Sequence, residues 1–165
     1  MTGKSVYITR QGYEDLQQES SALWKKRRRV VKILAAAAAE GDRSENAEYQ
    51  YRKKQLRELD RRIRYLHKRL PELKCVDNPP QQTERVFFGA WVALEDEQGA
   101  QVTYRIVGAD EFAPQRNWIS VDSPMARALL GKSPGDEIQV QTPAGIKEMT
   151  ILGVTYTKHG EPQVK

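Results

Sequence analysis

Asp42 and Glu45 stand three residues apart, and Glu48 follows three further on, in the stretch Gly41-Asp42-Arg43-Ser44-Glu45-Asn46-Ala47-Glu48-Tyr49. Carboxylates are hard oxygen donors. Two of them at the apex of a turn can hold a divalent cation with its waters, or can serve as acid or base. Two make an incomplete metal site, so a partner would have to supply the remaining ligands. The spacing also has a structural reading. Asp-x-x-Glu ahead of a helix resembles a capping box, and acidic groups suit a helix N-terminus electrostatically. His67 sits among basic residues and His159 in the tail; neither is near the pair in sequence, and both read as ordinary surface histidines.

A second constellation is basic. Lys25, Lys26, Arg27, Arg28 and Arg29 form one run, and Arg52, Lys53, Lys54, Arg57, Arg61, Arg62 and Arg64 form another. Lys53, Arg57, Arg61 and Arg64 are spaced so that they share one face of a helix. They could bind phosphates, or they could be solvated flanks paired with Glu48, Glu58 and Asp60. Tyr49 and Tyr51 could stack on a base, although Tyr49 also fits an apolar seam. A third constellation is the corner Asp122-Ser123-Pro124-Met125, which reads as a capped helix start or a docking edge.

The elements that must position these groups follow from periodicity. Tyr13, Leu16, Ser20, Leu23, Arg27, Val30, Leu34 and Ala37 alternate steps of three and four, as do Tyr49, Arg52, Leu56, Leu59, Ile63, Leu66, Leu70 and Leu73. That is the seam of a coiled coil, interrupted at Ser20, Arg27 and Arg52. Paired in reverse order, the two seams have residue numbers that add to 86: Tyr13 with Leu73, Leu16 with Leu70, Leu23 with Ile63, Val30 with Leu56, Ala37 with Tyr49. A constant sum is the arithmetic of an antiparallel hairpin that folds back near residue 43, at the acidic pair. Gly41 ends the first helix, and Asp42 or Ser44 can cap the second. The first helix is expected from Thr9, as N-cap, to about residue 40, and the second from about 45 to 73. Each arm of about 26 residues would be roughly 40 Å long. Five alanines at 35–39 thin the finger just before its tip.

Asp77-Asn78-Pro79-Pro80-Gln81-Gln82 reads as a linker. Beyond it the period falls towards two, with strands expected at 86–94, 101–107, 118–121, 137–141 and 148–156 and turns at 97–99 and 143–145. One short helix should span 123–130, capped by Ser123 with Pro124 in its first position. The fold class is therefore α+β: a coiled-coil finger over 1–76 with its tip at 41–48, a linker at 77–84, a small sheet domain over 85–157, and a tail at 158–165.

The composition agrees with two modules. The chain has 165 residues and a net charge of +5. Residues 1–74 hold 19 Lys/Arg against 10 Asp/Glu, and residues 75–165 hold 8 against 12. A half of net +9 favours a polyanion, most often nucleic acid. With Cys75 the only cysteine, no disulfide can form within the chain, which fits a reducing compartment. Neither a signal peptide nor a membrane span is readable, and a cytoplasmic protein is expected.

At this point the motifs are similar to a known family. The stretch at 41–49 resembles the tip signature of the Gre transcript-cleavage factors, and its Arg43-Ser44 pair is closer to the GreB than to the GreA pattern. Similar stretches are Arg61-Arg62-Ile63-Arg64-Tyr65-Leu66, Val86-Phe87-Phe88-Gly89-Ala90-Trp91-Val92 and Asp122-Ser123-Pro124-Met125-Ala126-Arg127-Ala128-Leu129-Leu130. The resemblance runs from about residue 9 to 156. The 35–39 alanines and the 158–165 tail depart from it.

The resemblance implies an FKBP-like second domain without an isomerase site, docked on the rim of the secondary channel of bacterial RNA polymerase through Asp122, Ser123 and Pro124. It implies that Asp42 and Glu45 share Mg2+ with the polymerase active site, that Ser44 helps position that site, and that Lys53 and Arg57 contact the nascent RNA near its 3′ end. The chain would have no cofactor of its own. It would be an accessory factor, and the polymerase the catalyst. Two other readings stand beside this: a non-cleaving relative that plugs the channel, and a prolyl isomerase or chaperone. The last would need Trp91, Tyr104, Phe112 and Trp118 to converge.

Overall fold

The structure, a computed structural model, describes residues 4–40, 46–77 and 80–157. The chain divides into two units: residues 13–73, and residues 1–12 together with 74–165.

The first unit is a helical hairpin of α1 (Arg10–Ala39) and α2 (Ala47–Arg69). Every expected seam position is shielded from solvent to some degree, and Leu16, Val30, Ala37, Leu59, Ile63 and Leu66 are buried outright. Burying each of the larger aliphatic side chains contributes on the order of 1.5–3 kcal/mol. The antiparallel register is fixed by polar bonds as well. Glu19 pairs with Arg62 at 2.6 Å and Arg27 with Asp60 at 2.6 Å. Arg27, an apparent flaw in the seam, is thus neutralised across it.

The ends of α2 differ from expectation. It closes at Arg69 and gives way to a tighter turn, Leu70–Glu72, because Pro71 has no N–H to continue the α-helical ladder. Arg69 beside the seam is buried, with Glu72 at 3.4 Å. At the other end the expected caps, Asp42 and Ser44, lie outside the described residues. The cap is Asn46, whose Oδ1 accepts from the Tyr49 N–H at 3.1 Å.

The second unit has a five-stranded sheet and a two-stranded one. The short pair is β1 (Tyr7–Thr9) and β2 (Lys74–Val76), parallel, with Ile8 opposite Cys75. These residues were expected in the finger. They belong instead with the sheet unit, because their backbone groups pair there and Ile8 is fully buried. The main sheet is built from β3 (Trp91–Asp96), β4 (Gln101–Val107), β5 (Trp118–Ser120), β6 (Glu137–Thr142) and β7 (Gly145–Thr155), in the order β5-β4-β3-β7-β6. Only β4 and β5 run parallel. Alternate residues Val92, Leu94, Ile106, Ile138, Val140, Met149 and Ile151 form the core. The helix α3 (Pro124–Leu129) covers them with Ala126 and Leu129.

The expected strand over 86–90 is absent. Gly89 adopts φ +88°, which turns the chain, and Val86 bonds to Lys132 and Gly131 instead of to a strand. This turn is held by Tyr156, whose hydroxyl donates to the Arg85 carbonyl and accepts from the Phe87 N–H at 2.9 Å. Burial pushes the phenol pKa above its ordinary value, against the opposing effect of the Phe87 bond.

One polar clamp fixes Thr9 and the start of α1. The Glu111 carboxylate, buried, accepts from the Thr9 N–H at 2.9 Å, the Gly108 N–H at 2.7 Å and the Thr9 hydroxyl. Thr9 Oγ1 also accepts from the Gly12 N–H at 3.1 Å, so Thr9 does cap α1. The carboxylate lies so close to Gly12 that a Cβ there would overlap it.

Candidate functional site: a basic helical face

Asp42, Ser44 and Glu45 lie outside the described residues. The residues below them are informative. Asn46 caps α2 with its oxygen and, through Nδ2, donates to the Ala37 carbonyl at 3.0 Å. One side chain therefore ties the end of α1 to the start of α2 at the base of the turn. Glu48 is committed to its own helix, 2.9 Å from Arg52 Nε one turn on. Asn46→Ala should lower the stability of the hairpin by about 1–2 kcal/mol, since it removes a cap and a cross-helix bond. Denaturant unfolding followed by helical circular dichroism would measure this, and an unchanged midpoint would refute the tie.

The basic residues separate into two sets. Arg27, Arg52 and Arg62 have acidic partners in Asp60, Glu48 and Glu19. Among the described residues, Lys53, Arg57, Arg61 and Arg64 on α2 and Lys25, Arg28, Arg29 and Lys32 on α1 have no carboxylate within ion-pair distance. Asp60 and Glu48, which could have neutralised the α2 face, are engaged elsewhere. Uncompensated cations on an exposed helix repel one another, and a polyanion relieves that repulsion.

Arg57, Arg61 and Arg64 line a groove of about 770 Å³ with Trp24, Ile63 and His67. Lys53 is not in it; its ammonium lies 5.9 Å from the Tyr49 ring. The half-exposed Trp24 was missed in the sequence, although the reverse pairing that sums to 86 sets it opposite residue 62, beside Arg61. Tyr51, exposed and covered by Arg52 at 5.2 Å, lies outside the groove.

At the corner, Ser123 Oγ accepts from the Ala126 N–H at 3.1 Å and Pro124 takes the first position of α3. Asp122 accepts from the Ser5 N–H at 2.9 Å. Two of the three expected docking residues therefore have local structural duties, and Pro124 is exposed.

Two family models match the chain: "Transcription elongation factor, N-terminal" over residues 6–74 and "Transcription elongation factor, GreA/GreB, C-term" over residues 81–156. The chain belongs to the GreA/GreB family. It is 56% identical to the transcription elongation factor GreB of Haemophilus influenzae over 156 residues, covering 94% of this chain and 99% of that one. It is 55% identical to the GreB of Yersinia pestis over 159 residues, covering 96% and 93%. Among solved structures, the Gfh1 protein of Thermus thermophilus, a GreA factor homologue, is 27% identical with a TM-score of 0.42, covering 92% and 99%. The two GreA/GreB family matches meet near the end of β2, so hairpin and sheet unit are both accounted for. Among the described residues, no helix is long and apolar enough to cross a membrane.

The four aromatics that an isomerase pocket would need do not converge. Phe112 is exposed, and Tyr104 packs on the core side of the sheet. Trp91 and Trp118 do come together, on the opposite face, around Arg105.

Proposed function

We propose that this protein enters the secondary channel of RNA polymerase and stimulates cleavage of backtracked nascent RNA by the polymerase active site. The observation that carries the reading is the cationic face of α2, which has no carboxylate within ion-pair distance among the described residues and follows Asp42 and Glu45 closely in the sequence. Membership of an elongation-factor family over both units supports it.

The roles divide by chemistry. Asp42 and Glu45 offer hard oxygen donors suited to Mg2+ shared with the polymerase, and Ser44 helps to position them. When bound, such an ion activates water and stabilises the leaving oxygen of the RNA. The protein is the donor of ligands and the polymerase the catalyst. Lys53 and Arg57 hold the phosphates of the extruded RNA near its 3′ end. Asp122, Ser123 and Pro124 form the edge that docks on the channel rim.

The test is a stalled, backtracked elongation complex with 5′-labelled RNA and Mg2+. Added protein should shorten the RNA rapidly. Unchanged RNA despite demonstrated binding would replace this reading with that of a channel-plugging inhibitor. Within the same assay, Arg57→Glu should weaken action on extensively backtracked complexes by roughly tenfold and flatten the salt dependence, since each phosphate contact contributes close to one unit of the log–log salt slope. Activity of the variant equal to that of the unaltered protein at both low and high salt would remove Arg57 from RNA contact.

A further inference from the structure

The sheet unit carries a row of side chains that the proposed function does not use. Trp91, Arg105 and Trp118 are direct neighbours across β3, β4 and β5. They point away from the α3 core, alternating with Val92 and Ile106. The Arg105 guanidinium lies 4.0 Å from the centre of the Trp91 ring and 5.0 Å from that of Trp118. Arg116 covers Trp118 at 5.1 Å. The turn that carries Arg116 closes on Asn117, which is left-handed at φ 59°, a conformation that is uncommon for a residue with a Cβ. The result is an alternating stack of two indoles and two guanidiniums beside a hollow of about 780 Å³.

The stack is electrostatically incomplete. Arg105 makes one side-chain hydrogen bond, from Nε to the Gly89 carbonyl at a long 3.4 Å. Among the described residues neither Arg105 nor Arg116 has an ion-pair partner. Burial pulls the Arg105 pKa down, only partly opposed by the charge of Glu111. The Glu111 oxygens are already taken by Thr9 and Gly108. The hollow is lined otherwise by neutral groups such as Gln101 and Asn117, with no acid. This happens in the half of the chain whose net charge is −4.

We infer that this hollow binds a carboxylate side chain presented by an acidic segment of a protein partner. Two guanidiniums lie against the indoles with no acid facing them, and a planar carboxylate is the anion that an arginine can hold in two parallel bonds. A nucleobase is disfavoured because it would compete with guanidiniums already at both rings, Arg105 at Trp91 and Arg105 with Arg116 at Trp118. A phosphate chain is disfavoured by the surrounding net negative charge, which a single carboxylate feels far less. The row ends at Trp118 of β5, whose N–H and carbonyl are already bonded to Ala113, so a partner reaches the hollow with a side chain and adds no strand there. The inference does not rest on the proposed cleavage function.

The test uses the full chain labelled with 15N and its three indole N–H resonances, from Trp24, Trp91 and Trp118. The probes are acetyl-Ala-Glu-Glu-Ala-amide, the same peptide with Gln for Glu, and a short single-stranded RNA. The Glu peptide should move the Trp91 and Trp118 signals with an apparent Kd in the millimolar range and leave Trp24 still. Arg116→Gln, at an exposed position, should weaken this about tenfold, and Arg105→Gln at least as much, as expected for loss of a charge-assisted bond. No shift with the Glu peptide, or an equal shift with the Gln peptide, would overturn the inference. So would RNA moving the same two indoles more strongly than the peptide, which would assign the site to nucleic acid.

Discussion

Asp42→Asn should reduce stimulated RNA cleavage by on the order of 100-fold or more, the scale on which a preorganised charge at a reaction centre acts, while binding to polymerase is retained. Asparagine keeps the shape of aspartate and loses its charge. The described part of the tip makes this variant cleaner than the sequence suggested. The cap of α2 is Asn46, so the substitution does not remove the bond that starts the helix. Glu45→Gln should behave in the same way, because a shared ion needs both donors. The measurement is the rate of RNA shortening at saturating protein, beside a direct binding assay. Cleavage at the unaltered rate would show that the carboxylates hold no ion. Loss of binding would show that the tip is structural.

Glu111→Ala should have the largest effect on folding. It strips the acceptor from the Thr9 N–H, the Thr9 hydroxyl and the Gly108 N–H at once. Each buried donor left unsatisfied costs about 1–3 kcal/mol, so a loss of at least about 3 kcal/mol is expected. For a unit of this size that is a fall in Tm of roughly 10 °C or more. Glu111→Gln, which keeps one good acceptor, should fall between. Gly12→Ala should destabilise by the opposite route, since the added methyl occupies the space of the carboxylate. Thermal unfolding of the three variants reads all of this, and a shift in Glu111→Ala of under about 0.5 kcal/mol, the range of ordinary surface changes, would disprove the clamp.

The hairpin was legible because its signals are local and repeated. A seam of sixteen positions survives three polar interruptions, and the reverse pairing sets Arg27 opposite residue 59, next to its partner Asp60, while Glu19 reaches Arg62, five residues from the expected 67. The strands of the main sheet alternate in the same legible way from β3 onward. What escaped was short or distant. The strands β1 and β2 have three residues each, too few for a period, and are paired only with one another across the whole finger. Glu111 is 102 residues from Thr9, and nothing in Ala-Asp-Glu-Phe marks it as a buried acceptor. Asn46 was overlooked because Asp42 and Ser44 are equally good cap types and stand earlier. The acidic face of the basic-run question turned on which carboxylates were already engaged, which spacing alone does not reveal.

The pairing of β1 with β2 has a consequence for how the molecule is made. The chain emerges N-terminus first, at roughly 5–20 residues per second. Thr9 therefore leaves the ribosome on the order of 5–20 s before its acceptor Glu111 does. In that interval the hairpin, whose contacts are internal to residues 13–73, can close without waiting for anything downstream. Once zipped, it holds its own two ends side by side, so that the strands flanking it need to search almost no space to meet. A loop of more than sixty flexible residues would have charged that search the full entropy of closure. The hairpin is, during synthesis, the splint that sets the first strand in place.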